Sequence, residues 1–526
     1  MDDTLLESWR FTVERVGDQA LIYYFDTEVS ANTVRDQANC LAAHFQALGL
    51  RPGDRVAVCL QNDPYWLTSL VASWQAGLIV VPLNPMLRQA ELTNYLRDSA
   101  ARVLVTSSEY LADVAKDVLA DVTLDEVVIA DPVTRGGAPA SSPRMASSVS
   151  ARSMDDIVAG FAAAADVRVP RRGSDVALLT STSGTTGPPK GAMNTHANMT
   201  RSAEVLSSWF GVDGSDVIWG IAPFFHITGL TTELALTIFT GAPLIMFHRF
   251  EAATALQFAE RWRATFCVGA ITAYIAMLSD PSFPERDLSS LSKVFTGGAP
   301  VSPSTVERFE QATGIYIHNG YGLTESTGPA TFTPRGSRAP IDPQSGALSV
   351  GVPLPGMRVE FVDPTSRAPL KEGEVGEILL SGPLIVDGYW QHADETQNAM
   401  PGGRLHTGDI GFANEDGFLF IVDRAKDQIK ASGYKIWPRE VEEVLFQHPA
   451  VREAAVVGSP DAYRGETVAA YIVLQPGQVV TEDDLVSFCA TRMAAYKRPR
   501  SFDFVSDLPK TLTGKVLRRS LRNEPA

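Results

Sequence analysis

What this 526-residue chain lacks narrows it first. It has only four cysteines, Cys40, Cys59, Cys267 and Cys489, and no two of them stand in a C-x-x-C spacing. That excludes a disulfide framework and the common zinc-ligand patterns, and it leaves buried thiols in a reducing compartment. It has no long apolar run. Its most apolar stretch, from Leu230 to Phe247, is interrupted by Glu233 and by a Gly-Ala-Pro break, so no membrane span is expected. The amino-terminal MDDTLLESWR has no apolar signal core, and the carboxyl-terminal RNEPA carries no lipidation or peroxisomal signal; a cytoplasmic protein is the expectation. It is short of positive charge. With 45 Lys and Arg against 61 Asp and Glu, the formal charge is −16, which argues against nucleic acid or an anionic membrane as the main partner. A small anionic substrate stays compatible, because local fields matter more than the total.

What is there is a large core and an alternating pattern. Hydrophobic residues make up 45% of the chain, and a length prior of roughly 150 residues per domain suggests about three units. RPGDRVAVCLQND reads as turn, buried strand and loop. YWLTSLVASWQAGLIVVPLNP follows as a helix, a glycine end and a second strand, and ARVLVTS is a third. Such alternation predicts βαβ units on a parallel sheet. From Val133 to Arg172 the composition turns Ala/Ser/Pro/Gly/Arg-rich, which reads as a surface segment outside the core. A second α/β run covers Val217 to about Asn319, with APLIMF, TFCVGA and KVFTGG as strands. From about Gly351 short strands separated by turn residues (MRVEFVD, GEILLSG, GFLFIVD) predict a β-rich part up to residue 423. The last hundred residues mix helix-like PREVEEVLFQHP and EDDLVSFCATRM with strands EAAVVGS and TVAAYIVL, a small α+β unit. The expected division is 1–423 and 424–526, an α/β protein with a small mobile C-terminal domain.

One stretch poses the chemical question. TSTSGTTGPPKGA, Thr180 to Ala192, sets glycines among hydroxyls and ends in two prolines and a lysine. It is not a Walker A loop, since Gly184 and Gly187 are too close and Lys190 follows the prolines. Its parts still suit an anion: glycines let backbone N–H groups approach, hydroxyls donate and a lysine adds charge. Taken alone it could be a plain turn after a strand. Further stretches follow in order: APFFHITGL with His226, TGGAP from Thr296, NGYGLTES from Asn319, HTGD ending at Asp409, DRAKDQIKASGYKIWPREVE from Asp423, and LPKTLTGKVLRR from Leu508.

Together these stretches resemble the acyl-adenylate-forming (AMP-binding) superfamily, most closely its acyl-CoA synthetases and its aryl- and fatty-acyl-CoA ligases. The resemblance runs across nearly the whole chain. It implies a ligase that activates a small-molecule carboxylic acid with ATP and Mg2+ to acyl-AMP, expels pyrophosphate, and passes the acyl group to coenzyme A. By matched motif, Thr182, Ser183, Gly184, Thr185, Thr186 and Gly187, with Lys190, wrap the departing phosphates. Gly298, Asn319, Gly320, Tyr321 and Gly322 line the nucleotide and acyl walls, with Asn319 able to read the adenine edge. Thr324 contacts the α-phosphate, Glu325 holds Mg2+, Asp409 accepts the ribose hydroxyls and Arg424 donates to them. Lys515 sits between carboxylate and α-phosphate, unless it is the solvated lysine that a terminal GKVLRR usually provides. Lys426 matches the hinge of a domain alternation. That rotation would replace Lys515 by the face carrying Lys430, Ser432 and Gly433, which guides the pantetheine arm. His226 is either a gate between acyl pocket and thiol tunnel or a packed core histidine. The motif begins Asp-Arg where many relatives have Gly-Arg, and Lys435 and Trp437 stand where Asn and a smaller residue are frequent. Those two positions cloud the CoA-side contacts.

The resemblance also places the acyl wall, at His226, Thr228, Thr232, Ile271, Phe295, Gly320, Gly322 and Thr327. No Asp among them could grip an amino group and no Arg a second carboxylate, so an uncharged acyl or aryl tail is expected. Phe295 and Tyr274 could shorten that pocket or stack on a ring. The acceptor is free CoA, or alternatively the phosphopantetheine of a carrier protein loaded by a stand-alone acyl-AMP ligase. A monomer or homodimer is expected. A non-catalytic binding protein and a luciferase-like oxygenase are the remaining readings, and nothing in the chain favours either.

Overall fold

The computed structural model describes residues 4–132, 149–161, 166–182, 190–343, 346–371, 373–424, 427, 429–431, 434–461, 465–510 and 516–522. Among the described residues the strands form four sheets. A seven-stranded sheet runs, in spatial order, Ser150–Ser153, Glu126–Ile129, Val103–Thr106, Arg55–Cys59, Ile79–Pro82, Val176–Thr182 and Lys190–Thr195. All its pairings are parallel except the last, where Thr182 lies opposite Lys190 in an antiparallel pair. Its inner strands read as unbroken apolar runs because both faces are covered; every residue of Val103–Thr106 and Ile79–Pro82 is buried.

A nine-stranded sheet carries the second α/β run, with Phe266–Gly269, Lys293–Thr296 and Ile317–Leu323 side by side and parallel. Beyond them Gly328–Phe332 turns back antiparallel. Helices fill the space between the two sheets. Tyr65–Gln75 is buried at every position, so it is apolar all round rather than amphipathic. His196–Phe210 starts at a reciprocal cap. The Thr195 hydroxyl accepts from Asn198 N–H over 3.1 Å, and the Asn198 side chain accepts from Thr195 N–H over 3.0 Å. It ends at Gly211 with φ of 62°. One hydrophobic cluster joins both sheets through these helices, with Trp66, Trp74, Phe210 and Phe266 fully buried in it.

Arg358–Val362, Gly376–Ser381, Leu405–Ala413 and Leu419–Arg424 form a four-stranded antiparallel sheet, the expected β-rich part. After it comes a five-stranded sheet in which Gly465–Leu474 pairs with three neighbours, flanked by helices Pro438–Phe446 and Glu482–Ala490. The described part of the expected surface segment, residues 149–161 and 166–172, holds more regular structure than its composition implied. Ser150–Ser153 adds an edge strand parallel to Glu126–Ile129, and Met154–Gly160 is a helix capped by Ser153, whose hydroxyl accepts from Asp156 N–H. Buried Met154 and Ile157 anchor it, a local amphipathic signal that the Ala/Ser-rich surroundings masked.

All four cysteines are free and buried, and burial pushes the Cys267 thiol up to about 12. Among the described residues, no helix is long and apolar enough to cross a membrane. The Leu230 stretch folds instead as a π-helical turn to Ala235, a helix to Thr240 that ends at left-handed Gly241, and the strand Leu244–Met246.

Candidate active site

The two sheets meet at the turn that follows Ile317–Leu323. Gly320 and Gly322 lie on that strand because nothing larger fits. A Cβ on Gly320 would come within 2.3 Å of the Phe332 ring, and one on Gly322 within 2.1 Å of the Gly328 carbonyl oxygen. The chain then makes a short 3-10 turn, Thr324–Ser326, and reverses through left-handed Thr327. Ser326 closes the reversal: its hydroxyl accepts from Leu323 N–H over 2.8 Å and donates to the Gly328 carbonyl over 2.7 Å. Thr324 and Glu325 are thereby left half-buried at the tip of a rigid hairpin. The neighbouring sheet holds the tip from the side. Asn194 donates its amide to the Thr327 hydroxyl over 3.1 Å and to the Thr324 carbonyl over 3.3 Å.

Lys190 opens the strand that carries Asn194. Its ammonium lies 3.7 Å from Glu395 and 5.6 Å from the centre of the Tyr389 ring. The Tyr389 hydroxyl donates in turn to Glu325 Oε1 over 2.8 Å. Burial and the adjacent Glu325 carboxylate raise that phenol well above its ordinary range, so it stays a donor. Thr182 is buried at the end of the partner strand. Ser183, Gly184, Thr185, Thr186 and Gly187 lie outside the described residues.

On the other side of the strand, Asn319 donates its amide to the Ser349 carbonyl over 3.0 Å, while its Oδ1 is buried with no partner among the described residues. Such an orphaned acceptor costs free energy unless a donor arrives. Tyr321 donates its hydroxyl to Asp409 Oδ2 over 2.6 Å. Asp409 is almost fully buried and faces Arg424 across paired strands. Gly298 has φ of 79° and open space where a side chain would stand.

His226 caps the helix that follows it. Its Nδ1 accepts from Thr228 N–H over 3.3 Å and lies 3.1 Å from the Thr228 hydroxyl, and the ring is half-buried. Thr232 spends its hydroxyl on the Thr228 carbonyl, 2.9 Å away. The loop before His226 is pinned by two buried groups. Asn62 pairs with both the Ala222 carbonyl and Phe224 N–H, at 2.8 and 2.9 Å, and Glu233 accepts from Ala222 N–H at 2.8 Å. Burial raises the Glu233 carboxyl well above the usual carboxylate range.

Ile271 is buried at the start of Ile271–Leu278 and packs in one cluster with Tyr274 and Val294. Phe295, one residue on from Val294, packs in the other cluster, with its ring 4.2 Å from that of Phe210 and close to Phe266 and Phe332. Tyr274 is fully buried and donates to the Phe295 carbonyl over 2.7 Å. Of Arg424 and Lys430 only the main chain is described. Lys426, Ser432, Gly433 and Lys515 lie outside the described residues.

The hairpin thus gathers Lys190, Asn319, Tyr321, Thr324, Glu325 and Asp409 from three strands and one turn. Tyr389, Glu395 and Asn194 stand among them and were missed by the sequence reading. Tyr389 belongs to DGYW, between two motifs. Its only signal is a polar-tipped aromatic after a glycine.

Comparison with known proteins fits this arrangement. The family described as AMP-binding enzyme matches residues 9–390, and the AMP-binding enzyme C-terminal domain matches residues 440–515. The chain is 34% identical over 524 residues to a long-chain-fatty-acid–CoA ligase of Bacillus subtilis (strain 168), covering 97% of this chain and 92% of that protein. It is 34% identical over 514 residues to a feruloyl-CoA synthase of Amycolatopsis sp, covering 97% and 95%. Its fold superposes on the anthranilate CoA ligase AuaEII in complex with anthranoyl-AMP with a TM-score of 0.88 at 28% identity, over 98% of this chain and 96% of that one. The chain belongs to the AMP-binding enzyme family and is an AMP-forming acid–CoA ligase.

Proposed function

We propose that this ligase acts on an uncharged aliphatic or aromatic carboxylic acid, through an acyl-adenylate made with MgATP and then attacked by the thiol of CoA. The observation that carries the acid class is the expected acyl wall. Thr232, Ile271 and Thr327 are buried, the hydroxyls of Thr232 and Thr327 are engaged by protein groups, and His226, Thr228, Gly320 and Gly322 add no Asp, Glu, Lys or Arg. A charged tail would find no partner there, and burying it unpaired costs several kcal/mol, on the order of 5. The names of the two curated relatives, one aliphatic and one aromatic, support that breadth.

In the first half-reaction the substrate carboxylate oxygen bonds to the α-phosphorus as the bond to pyrophosphate breaks. Negative charge gathers on the phosphates, and fixed donors in a partly dry site stabilise it best. Lys190 and the 182–187 loop would hold the departing phosphates, the Thr324 hydroxyl would donate to the α-phosphate, and Lys515 would bridge carboxylate and α-phosphate. Asn319 Oδ1, an acceptor awaiting a donor, suits the exocyclic amine of adenine. Asp409 and Arg424 would take the ribose hydroxyls. Glu325, half-buried at the hairpin tip with Oε1 taken by Tyr389, would hold Mg2+, a hard cation that suits a carboxylate oxygen and would supply positive charge against that of the phosphates. In the second half-reaction the thiol attacks the acyl carbon and AMP leaves. The 424–526 domain would turn about Lys426 to exchange Lys515 for the Lys430, Ser432 and Gly433 face, and His226 would gate the thiol's approach.

Pyrophosphate release over a panel from acetate through dodecanoate to benzoate and cinnamate, with and without CoA, tests this reading. Acid-dependent release that Lys515→Ala lowers at least about a hundredfold, with CoA consumed, is the expected result. With malonate, succinate and amino acids added to the panel, release confined to those acids would overturn the acid class. Release without CoA consumption would make a carrier protein the acceptor.

A further inference from the structure

Tyr389 lies outside every motif, yet it touches two residues expected to act on the phosphates. Its hydroxyl donates to Glu325 Oε1 over 2.8 Å, and its ring lies 5.6 Å from the Lys190 ammonium. Its backbone is fixed on several sides. Tyr389 pairs with Ala192 in an antiparallel bridge, and Trp390 N–H donates to the Gly191 carbonyl over 2.8 Å. Met193 N–H donates to the Gly388 carbonyl over 3.0 Å, and Tyr389 N–H donates to the Thr396 hydroxyl over 2.9 Å. Three residues earlier, Val386 N–H donates to the Glu325 carbonyl over 2.9 Å. The phenol therefore stands on a frame bonded both to the Lys190 strand and to the Glu325 turn.

We propose that Tyr389 is a positioning residue for adenylation. Its hydroxyl fixes the rotation of the Glu325 carboxylate, presenting the other oxygen to the metal of MgATP, while its ring steadies Lys190. The proposal rests on the reading of Glu325 and Lys190 given above. Three physical facts support it. A carboxylate pinned through one oxygen by a neutral donor keeps its full charge and loses only its freedom to turn. Hydrogen-bond partners of metal-binding groups commonly set metal affinity. A cation over an aromatic face is held without the neutralisation that a second carboxylate would bring.

Removing only the hydroxyl, in Tyr389→Phe, tests it. Calorimetric titration of the full-length protein with ATP, in Mg2+ and in EDTA, needs no knowledge of the acid. The expected result is about a tenfold loss of MgATP affinity with metal-free ATP affinity unchanged. In turnover, the Mg2+ concentration for half-maximal pyrophosphate release should rise by a similar factor. CoA-dependent consumption of added acyl-adenylate, which needs no metal, should stay within about twofold of wild type. Equal losses in both half-reactions, or equal losses of ATP and MgATP affinity, would show a merely structural residue and overturn the proposal. Glu325→Gln separates the two levels. If it weakens MgATP selectively and Tyr389→Phe does not, the positioning role alone fails. If Glu325→Gln leaves the metal dependence intact, the metal reading fails and the role falls with it.

Discussion

His196 illustrates what burial does to a single titratable group. It opens the long helix between the sheets, is 1% exposed, and has no hydrogen-bond partner for either ring nitrogen among the described residues. Its nearest aromatic contact is the edge of Trp74, with ring centres 5.6 Å apart. Burial, then Arg171, pushes the imidazole from 6.5 down to about 4, against a small opposing pull from Asp175. The folded state therefore holds it neutral where an unfolded chain would protonate it. Its contribution to stability is complete above pH 6.5 and is lost as pH falls toward 4, with about 2 kcal/mol gone by pH 5. Replacing it with an apolar side chain removes that dependence. Between pH 7 and 5 the wild-type melting temperature should fall further than that of His196→Leu. Parallel falls in the two proteins would show that other groups carry the acid sensitivity.

At the scale of elements, the hairpin built from Ile317–Leu323 and Gly328–Phe332 depends on close backbone approach. A methyl at Gly322 meets only main chain, the Gly328 carbonyl at 2.1 Å and Pro329 Cα at 2.6 Å, so no side chain can yield to it. Gly298 needs glycine for its positive φ alone, with open space around it. Gly322→Ala should cost about 3 kcal/mol and Gly298→Ala about 1 kcal/mol, read as the order of melting temperatures. The reverse order would mean that the hairpin is free to part. Unbroken apolar runs made Val103–Thr106 and Ile79–Pro82 legible in the sequence, whereas this hairpin was met there only as the glycine-rich motif NGYGLTES, without its strands or its reversal. Tyr389 was not legible, because its partner Glu325 is 64 residues away and the two meet only when separate sheets dock. Glu233 was visible as a break in an apolar run, but its use as a buried acceptor for Ala222 N–H requires the fold. Phe295 and Ile271 were grouped in one wall, yet alternation along a strand sends Phe295 and Val294 into different clusters.

Across the whole molecule the cores are unequal. The largest cluster joins both α/β sheets and reaches the β-rich part through Leu405 and Leu419. The clusters built on Ile429 and Val456, and on Val457 and Leu521, draw only on residues after 424. A unit with its own core melts as its own unit. Calorimetry should resolve two transitions, and ATP, bound mainly to residues before 424 in the reading above, should raise the one with the larger enthalpy more. A single transition at every ligand concentration would mean that the two units unfold together.

The buried cysteines have a further meaning for an enzyme whose co-substrate is itself a thiol. Cys40, Cys59, Cys267 and Cys489 are all shut away, and burial raises each of their thiols above its ordinary value. Thiolate is the form that attacks a disulfide. Oxidised CoA, a disulfide carried on the same handle as the substrate, therefore meets no reactive sulfur in the folded chain. Incubation with CoA disulfide should therefore leave the mass of the folded protein unchanged, and a mixed disulfide on any of the four would show that its thiol is reachable.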